Sequence, residues 1–244
     1  MRGDILKKKL MVLCAVAIMI STCLTGCKMN SGKIRFGSAG IGGTYQIFGD
    51  TFANLISSKS KKYNIEVKTT AGSAANLRLL SKDYIQMAVA QMDLINDAYN
   101  RTGIFENDKK YQGYRAVASL YTEACQIVVP ADSDIQSMDD LEGKKVCIGE
   151  EESGTEQNAL QILNAYGLNE RLVDTVNLNY TDAAKKLKSG DIDAFFCTAG
   201  VQTTVINELS KQCKIRLVSL DQKGVSRLKK SYKFYTEYTI PAGT

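Results

Sequence analysis

Three glycine-rich turns carry the clearest chemistry in the chain: Gly37-Ser38-Ala39-Gly40-Ile41-Gly42-Gly43-Thr44-Tyr45, Ala71-Gly72-Ser73-Ala74-Ala75-Asn76 and Glu152-Ser153-Gly154-Thr155-Glu156. Each stands where an apolar run hands over to a helical pattern. A helix that opens on small residues leaves its first N–H groups unpaired, and these donors, with the helix dipole, attract carboxylates and phosphates. The first turn is not a dinucleotide fingerprint, because the last glycine of that motif would fall on Tyr45. Nor is it a P-loop, because no Gly-Lys-Ser/Thr follows. Taken alone it reads equally well as a tight turn needing positive φ. Ser153-Gly154-Thr155-Glu156 fits a capping box, in which Ser153 accepts from the Glu156 N–H and Glu156 reaches back. Gln91, Asp93, Glu123 and Gln126 stand beside strand ends and suit an ammonium or hydroxyl group, with surface or capping roles as the plainer alternative.

Composition removes most catalytic readings. The chain has no histidine, which excludes Ser-His-Asp and Cys-His nucleophile activation and every His-ligated zinc site. Glu150-Glu151-Glu152 lacks the spaced oxygen ligands of a calcium loop. The seven cysteines stand at 14, 23, 27, 125, 147, 197 and 213. Cys147 and Cys197 lie inside apolar runs, where a thiol packs as a small hydrophobe in preference to forming a disulfide. Lys59, Lys61 and Lys62, like Lys185, Lys186 and Lys188, are mixed with acids and lack interleaved aromatics, so nucleic acid is not expected as a partner. No catalytic residue, metal or cofactor is expected either.

The N-terminus reads as an export signal. Arg2, Lys7, Lys8 and Lys9 precede an apolar run from Leu10 to Leu24 that is too short for a membrane span. It ends in Leu24-Thr25-Gly26-Cys27, which resembles the bacterial lipobox. Residues 1–26 are then a lipoprotein signal peptide, Cys27 the lipid attachment point and residues 27–32 a tether. An uncleaved anchor with a coincidental cysteine is the alternative, and both place the remainder outside the cytoplasmic membrane. The leader holds four of the 31 Lys and Arg residues and one of the 26 acids, so without it the formal charge falls from +5 to +2.

Beyond the tether, strand and helix patterns alternate. Ile34 to Phe36 reads as a strand, followed by a helix from Thr44 and a strand over 65–69. Ser73 is placed to cap a helix through Leu77 and Leu80; a buried strand over 85–90 follows, then a helix over 94–99 capped by Asp93. Apolar runs 116–120 and 127–129 read as extended connections, and Pro130 with the acidic stretch to Asp134 as a hinge. A second series follows, with strands over 145–149, 176–178, 192–197 and 215–220. Its helices end at Gly167, at Gly190 and near Ser210. The pattern implies an α/β fold of two lobes, with mostly parallel sheets flanked by helices and a cleft at the strand ends. Residues 33–125 plus 219–244 are expected to form the first lobe and 126–218 the second.

The motifs, in order, resemble the TAXI solute receptors of TRAP transporters: Gly42-Gly43-Thr44-Tyr45, Gly72-Ser73 with Asn76-Leu77-Arg78-Leu79-Leu80, Ser153-Gly154-Thr155-Glu156, Ile192-Asp193-Ala194-Phe195-Phe196 with Thr198-Ala199-Gly200, and Thr239-Ile240-Pro241-Ala242-Gly243-Thr244. The resemblance implies a type II periplasmic-binding-protein fold closing on a small carboxylate, such as glutamate, glutamine or a related organic acid. Delivery to the permease subunits of an ion-driven transporter, without catalysis, is implied too. It assigns ligand contacts to Ser38, Gly43, Thr44, Tyr45, Ser73, Asn76, Gln91, Asp93, Glu123, Ser153, Gly154, Thr155 and Thr198. Gln46 replaces a usual second aromatic, and Met92 a usual Ser or Thr. Family members also continue past the position of Thr244, so the first lobe is expected to be incomplete here and to expose apolar surface. The alternatives are a ligand-sensing or interaction lipoprotein of the same fold and, less favoured, an enzyme on it.

Overall fold

The computed structural model describes residues 32–244. The signal sequence, Cys27 and most of the tether lie outside the described residues. Chain contacts define one unit over Ile34–Thr244, which holds every element described below apart from Lys33, the first residue of β1. Among the described residues no helix is long and apolar enough to cross a membrane.

The first part of the unit builds a three-stranded sheet from β1 (Lys33–Gly37), β2 (Asn64–Lys68) and β3 (Met87–Ala88), in the order β2-β1-β3, with β1 and β3 parallel. Its helices are α1 (Thr44–Lys59), α2 (Ser73–Ser81) and α3 (Met92–Asn100). Phe48 and Phe52 on one face of α1 lie against Phe36 of β1, with ring centroids 6.1 and 5.8 Å apart. Leu77, Leu94, Ala98 and Phe105 join α2 to α3 in a separate small core.

A five-stranded sheet follows, formed by β4 (Ala124–Pro130), β5 (Lys145–Cys147), β6 (Asp174–Val176), β7 (Ala194–Ala199) and β8 (Ile215–Leu217), in the order β6-β5-β7-β4-β8. The helices α4 (Gly154–Ala165), α5 (Tyr180–Ser189), α6 (Thr204–Gln212) and α7 (Gln222–Ser231) accompany it. β5 runs parallel to β6 and β7, whereas β4 is antiparallel to both β7 and β8. The sheet is therefore mixed rather than all parallel. A parallel neighbour needs a crossover helix, and β4 enters straight from the residues that leave the first sheet.

β7 is buried along its whole length, as a central strand with helices on both faces must be. Alternation sends Phe196 into a core with Ile127, Ile148 and Ile162, and Phe195 into another with Val128, Ala183 and Leu187. Cys147 and Cys197 are packed thiols, and Cys125 and Cys213 are also free.

Three expectations change. Pro130 pairs with Ile215 at the end of β4, so it is not a hinge; the chain passes between the sheets earlier, over residues 109–123, which form neither helix nor strand. The apolar run 116–120 stays on the surface there, with Val117 84% exposed. Residues 219–244 are expected in the first lobe, but Leu220, Leu228, Tyr232 and Tyr235 pack on the core around Phe196. An amphipathic helix goes to the apolar face within its reach, and α7 follows directly from β8. An open hollow of about 1790 Å³ lies beside Phe48, Leu77, Ile85 and the 111–123 segment.

Because both phenylalanines are fully buried, Phe195→Ala and Phe196→Ala should each destabilise the fold by about 3–5 kcal/mol, read as a lowered denaturation midpoint with circular dichroism retained at low denaturant.

Candidate functional site

The glycine turns meet at one cavity of about 40 Å³, enclosed by residues from both sheets. Gly43, Thr44 and Tyr45 open α1; Gly72 and Ser73 open α2; Ser153, Gly154 and Thr155 open α4. Neither α1 nor α2 has a side-chain cap at its start, so no side-chain acceptor takes their first N–H groups. Gly72 holds φ +131°, and a Cβ there would stand 3.5 Å from Ser153 Cα. A Cβ on Gly154 would overlap Gln91 Oε1. These two glycines let the turns of the two sheets approach each other.

Local chemistry explains each turn. The Ser153 hydroxyl accepts from Glu156 N at 3.0 Å, as a capping box requires. Glu156 reaches one residue further back than the box predicts, accepting from Glu152 N at 2.8 Å. Ser73 is not the cap of α2: Gly72 holds that position, and the Ser73 hydroxyl accepts from Gln91 N at 3.1 Å. Asp93 likewise lies inside the first turn of α3, where Gln91 is the cap residue, and accepts from Leu94 N.

Gln91, Glu123 and Thr198 also line the cavity, but Ser38, Asn76 and Asp93 do not. Asn76 is fully buried and ties three segments together: its Nδ2 donates to Ser38 O at 2.7 Å and to Val89 O at 2.9 Å, and its Oδ1 accepts from Thr70. The Ser38 hydroxyl donates to Lys68 O. Both hold the strand ends in register. Asp93 accepts from Asn158 at 3.5 Å on the way to Tyr235. Gln126 is buried on β4 and borders the hollow instead.

Tyr180 is a lining residue that motif reading missed, as are Glu150 and Asn179. Its hydroxyl meets Thr155 Oγ1 and donates to Thr198 O at 2.9 Å. The turn that positions it, Leu178-Asn179-Tyr180-Thr181-Asp182, has no glycine, so a search for glycine turns passes over it. Its signal was the cap pair, with Asn179 accepting from Asp182 N.

The electrostatics are one-sided. Tyr45 donates to Glu123 Oε2 at 3.0 Å and Tyr121 to Oε1 at 3.3 Å. Burial pushes the Glu123 carboxyl up to about 7, against the pull of hydrogen bonds from Tyr45, Gln91 and Tyr121. Burial also raises Glu150, another lining residue, and Tyr180. Among the described residues no lysine or arginine lines the cavity. Gln91 Nε2 donates to Asn158, yet its buried Oε1 has no partner.

Several further contacts join the elements of the two sheets around this space. Ala75 N donates to Glu152 O, Gln91 to Asn158 and Thr181 to Ile41 O. Arg78 bridges Glu152 at 2.7 Å and Asp108 at 2.9 Å.

Two α/β sheets flanked by helices, with a polar cavity where strand ends from both meet, define the periplasmic-binding-protein fold. Residues 36–244 match the NMT1-like family, and the chain belongs to it. Similar solved structures include the alkanesulfonate-binding protein SsuA from Xanthomonas axonopodis pv. citri bound to MOPS, at 18% identity and TM-score 0.52 over 77% of this chain and 60% of that one. A binding-protein component of a phosphonate ABC transporter from Pseudomonas aeruginosa is similar at 12% identity and TM-score 0.54, over 82% and 73%. So is a putative L-cystine ABC transporter protein from Listeria monocytogenes, at 16% identity and TM-score 0.52, over 83% and 89%. The chain thus spans 60% of the length of the alkanesulfonate-binding protein.

Two outcomes are expected from this geometry. Gly72→Ala should cost about 1–3 kcal/mol of stability, because a side chain at that φ is strained whatever room surrounds it, read in a denaturant titration. Glu123 holds its proton more tightly folded, at about 7, than unfolded, near 4.3. Its contribution to stability is therefore full below about pH 4 and lost as pH rises to about 7, at up to about 1.4 kcal/mol per unit. Melting curves across that window should show this slope in the wild type and its loss in Glu123→Gln.

Proposed function

We propose that the chain is the solute receptor of a TRAP transporter, captured outside the cytoplasmic membrane by a lipid on Cys27. On this reading it binds a small carboxylate, such as glutamate, glutamine or a related organic acid, and delivers it to the permease subunits. Residues before β4 act as one lobe and the five-stranded sheet as the other, closing on the ligand. The observation that carries the reading is the convergence of three helix N-termini from both sheets on one cavity lined by Glu123, Gln91 and several hydroxyl groups. Such termini bind anions through unpaired N–H groups. Closure needs nothing beyond a ligand that binds the closed state more tightly than the open one.

The cavity offers no nucleophile paired with a base, and this favours capture over turnover. Cys125 and Cys197 have thiols that burial pushes up, Cys125 to about 12, so neither is a thiolate at neutral pH. Calorimetric titration of the protein with a panel of amino acids, organic acids and sulfonates should give at least one saturable ligand, recovered unchanged after incubation. A panel without any binder would overturn the receptor reading, and conversion of a bound compound would overturn the non-enzyme reading.

A further inference from the structure

The starts of α2 and α4 come from different sheets, and Glu152, just ahead of α4, is where they are joined. Every polar group of this residue is engaged. Its N–H donates to Glu156 Oε2, within its own turn, at 2.8 Å. Its carbonyl accepts from Ala75 N of α2 at 3.1 Å, and its carboxylate accepts from Arg78 of the same helix at 2.7 Å. Ala75 and Arg78 are three residues apart and so share one helix face. Glu152 therefore holds α2 twice, once through the backbone and once through the side chain.

Arg78 reaches Glu152 already anchored. Its Nε donates to Asp108 at 2.9 Å, another guanidinium nitrogen donates to Ile104 O at 3.1 Å, and the group lies over the Phe105 ring at 4.9 Å. These partners all precede β4, and Phe105 belongs to the core that joins α2 to α3. A planar fork held in this way gives up little freedom when it takes one more carboxylate. Glu152 bears a cost instead. Its φ of +63° lies in the left-handed region, where a residue other than glycine is strained. Such a backbone persists only where its surroundings over-determine it, and at Glu152 those surroundings include two groups of α2.

We infer, building on the receptor reading above, that Arg78 and Glu152 are a positioning pair for the binding site: their clasp sets how closely the start of α4 approaches the start of α2. Neither residue lines the cavity, so the pair acts through its neighbours. Ser153 and Gly154 follow Glu152 directly, and Gly72 and Ser73 begin the helix that carries Arg78. All four are lining residues. With the clasp released, Ala75 N loses its acceptor, Glu152 is free to leave the left-handed region, and these four residues lose their mutual spacing. The pair is partly open to solvent, with the Arg78 side chain 25% and the Glu152 side chain 45% exposed. Its effect on binding is therefore modest in size and falls with added salt.

The test is amide hydrogen exchange, read by NMR on the full ligand-free chain, because the Ala75 N–H reports the contact itself. The variants are Arg78→Gln and Glu152→Asn, each checked for a wild-type-like melt. Asparagine tolerates the left-handed backbone but loses the charge and the reach of Glu152. Each variant should exchange Ala75 about 5-fold faster, while interior amides of α2 and α4, such as Leu79 and Ile162, keep their protection. The double variant should exchange Ala75 no faster than the faster single one, as for residues that act through one contact. A ligand found with the panel of amino acids, organic acids and sulfonates should bind each variant about 5-fold more weakly. Wild-type exchange at Ala75 in both variants, acceleration spread through α2 and α4, or unchanged affinity would overturn this inference and leave the receptor reading standing. A panel without a binder would overturn the receptor reading, and the exchange data would still decide whether the pair holds the two helix starts together.

Discussion

An unpaired N–H at the start of a helix is the constraint on which the rest of this structure depends. Four helices, α1, α2, α4 and α5, begin where strands end, and each must find acceptors for its first amides. α4 and α5 find them partly in their own sequence, through Ser153 and Asn179. α1 and α2 begin at glycines that have no side chain to offer. One donor of α2, Ala75 N, goes to Glu152 O; no side-chain cap takes the others. The cavity is thus a consequence of how parallel strands hand over to helices, and glycine is retained there because it both permits the turn and withholds a cap.

Holding those helix ends together takes a rigid frame. In the larger sheet that frame is β7, whose adjacent phenylalanines anchor opposite faces. In the smaller one it is Asn76, which substitutes side-chain hydrogen bonds for the ladder that a short β3 does not extend. Arg78 and Glu152 then join the frames one turn away from the cavity, beside the glycine contact of Gly72 with Ser153. The ion pair is partly exposed, and pairs of that kind contribute little alone. Its place next to a backbone hydrogen bond from Ala75 makes it one member of a cooperative seam.

The acidic wall sets the character of the site. Glu123 arrives from an irregular segment that no periodicity distinguishes, and its surroundings are tyrosines and buried thiols, not bases. Burial raises it, and the hydrogen bonds from Tyr45, Gln91 and Tyr121 offset only part of that. Helix N-termini and a carboxylate raised by burial share the cavity, in a fold whose solved examples hold ligands as different as MOPS, in the alkanesulfonate-binding protein, and glutamine, in an ancestral arginine-binding protein.

The sequence by itself determined the alternation of strand and helix, the exclusion of histidine chemistry and the turns that line the cavity, because all of these are local. Spacing of apolar residues sets an element's type, and a glycine or a capping serine marks its end within a few residues. Only the tertiary structure decided that β4 runs antiparallel in a mixed sheet and that α7 packs beside Phe196. It also decided that Asn76 and Ser38 brace the strand ends without facing the cavity, and that Tyr180 completes its wall. Those outcomes depend on which apolar face is within reach and which buried polar group lacks a partner. Both are set by contacts between residues far apart in the chain, such as Asn158 with Gln91 and Tyr45 with Glu123, and no local pattern encodes them.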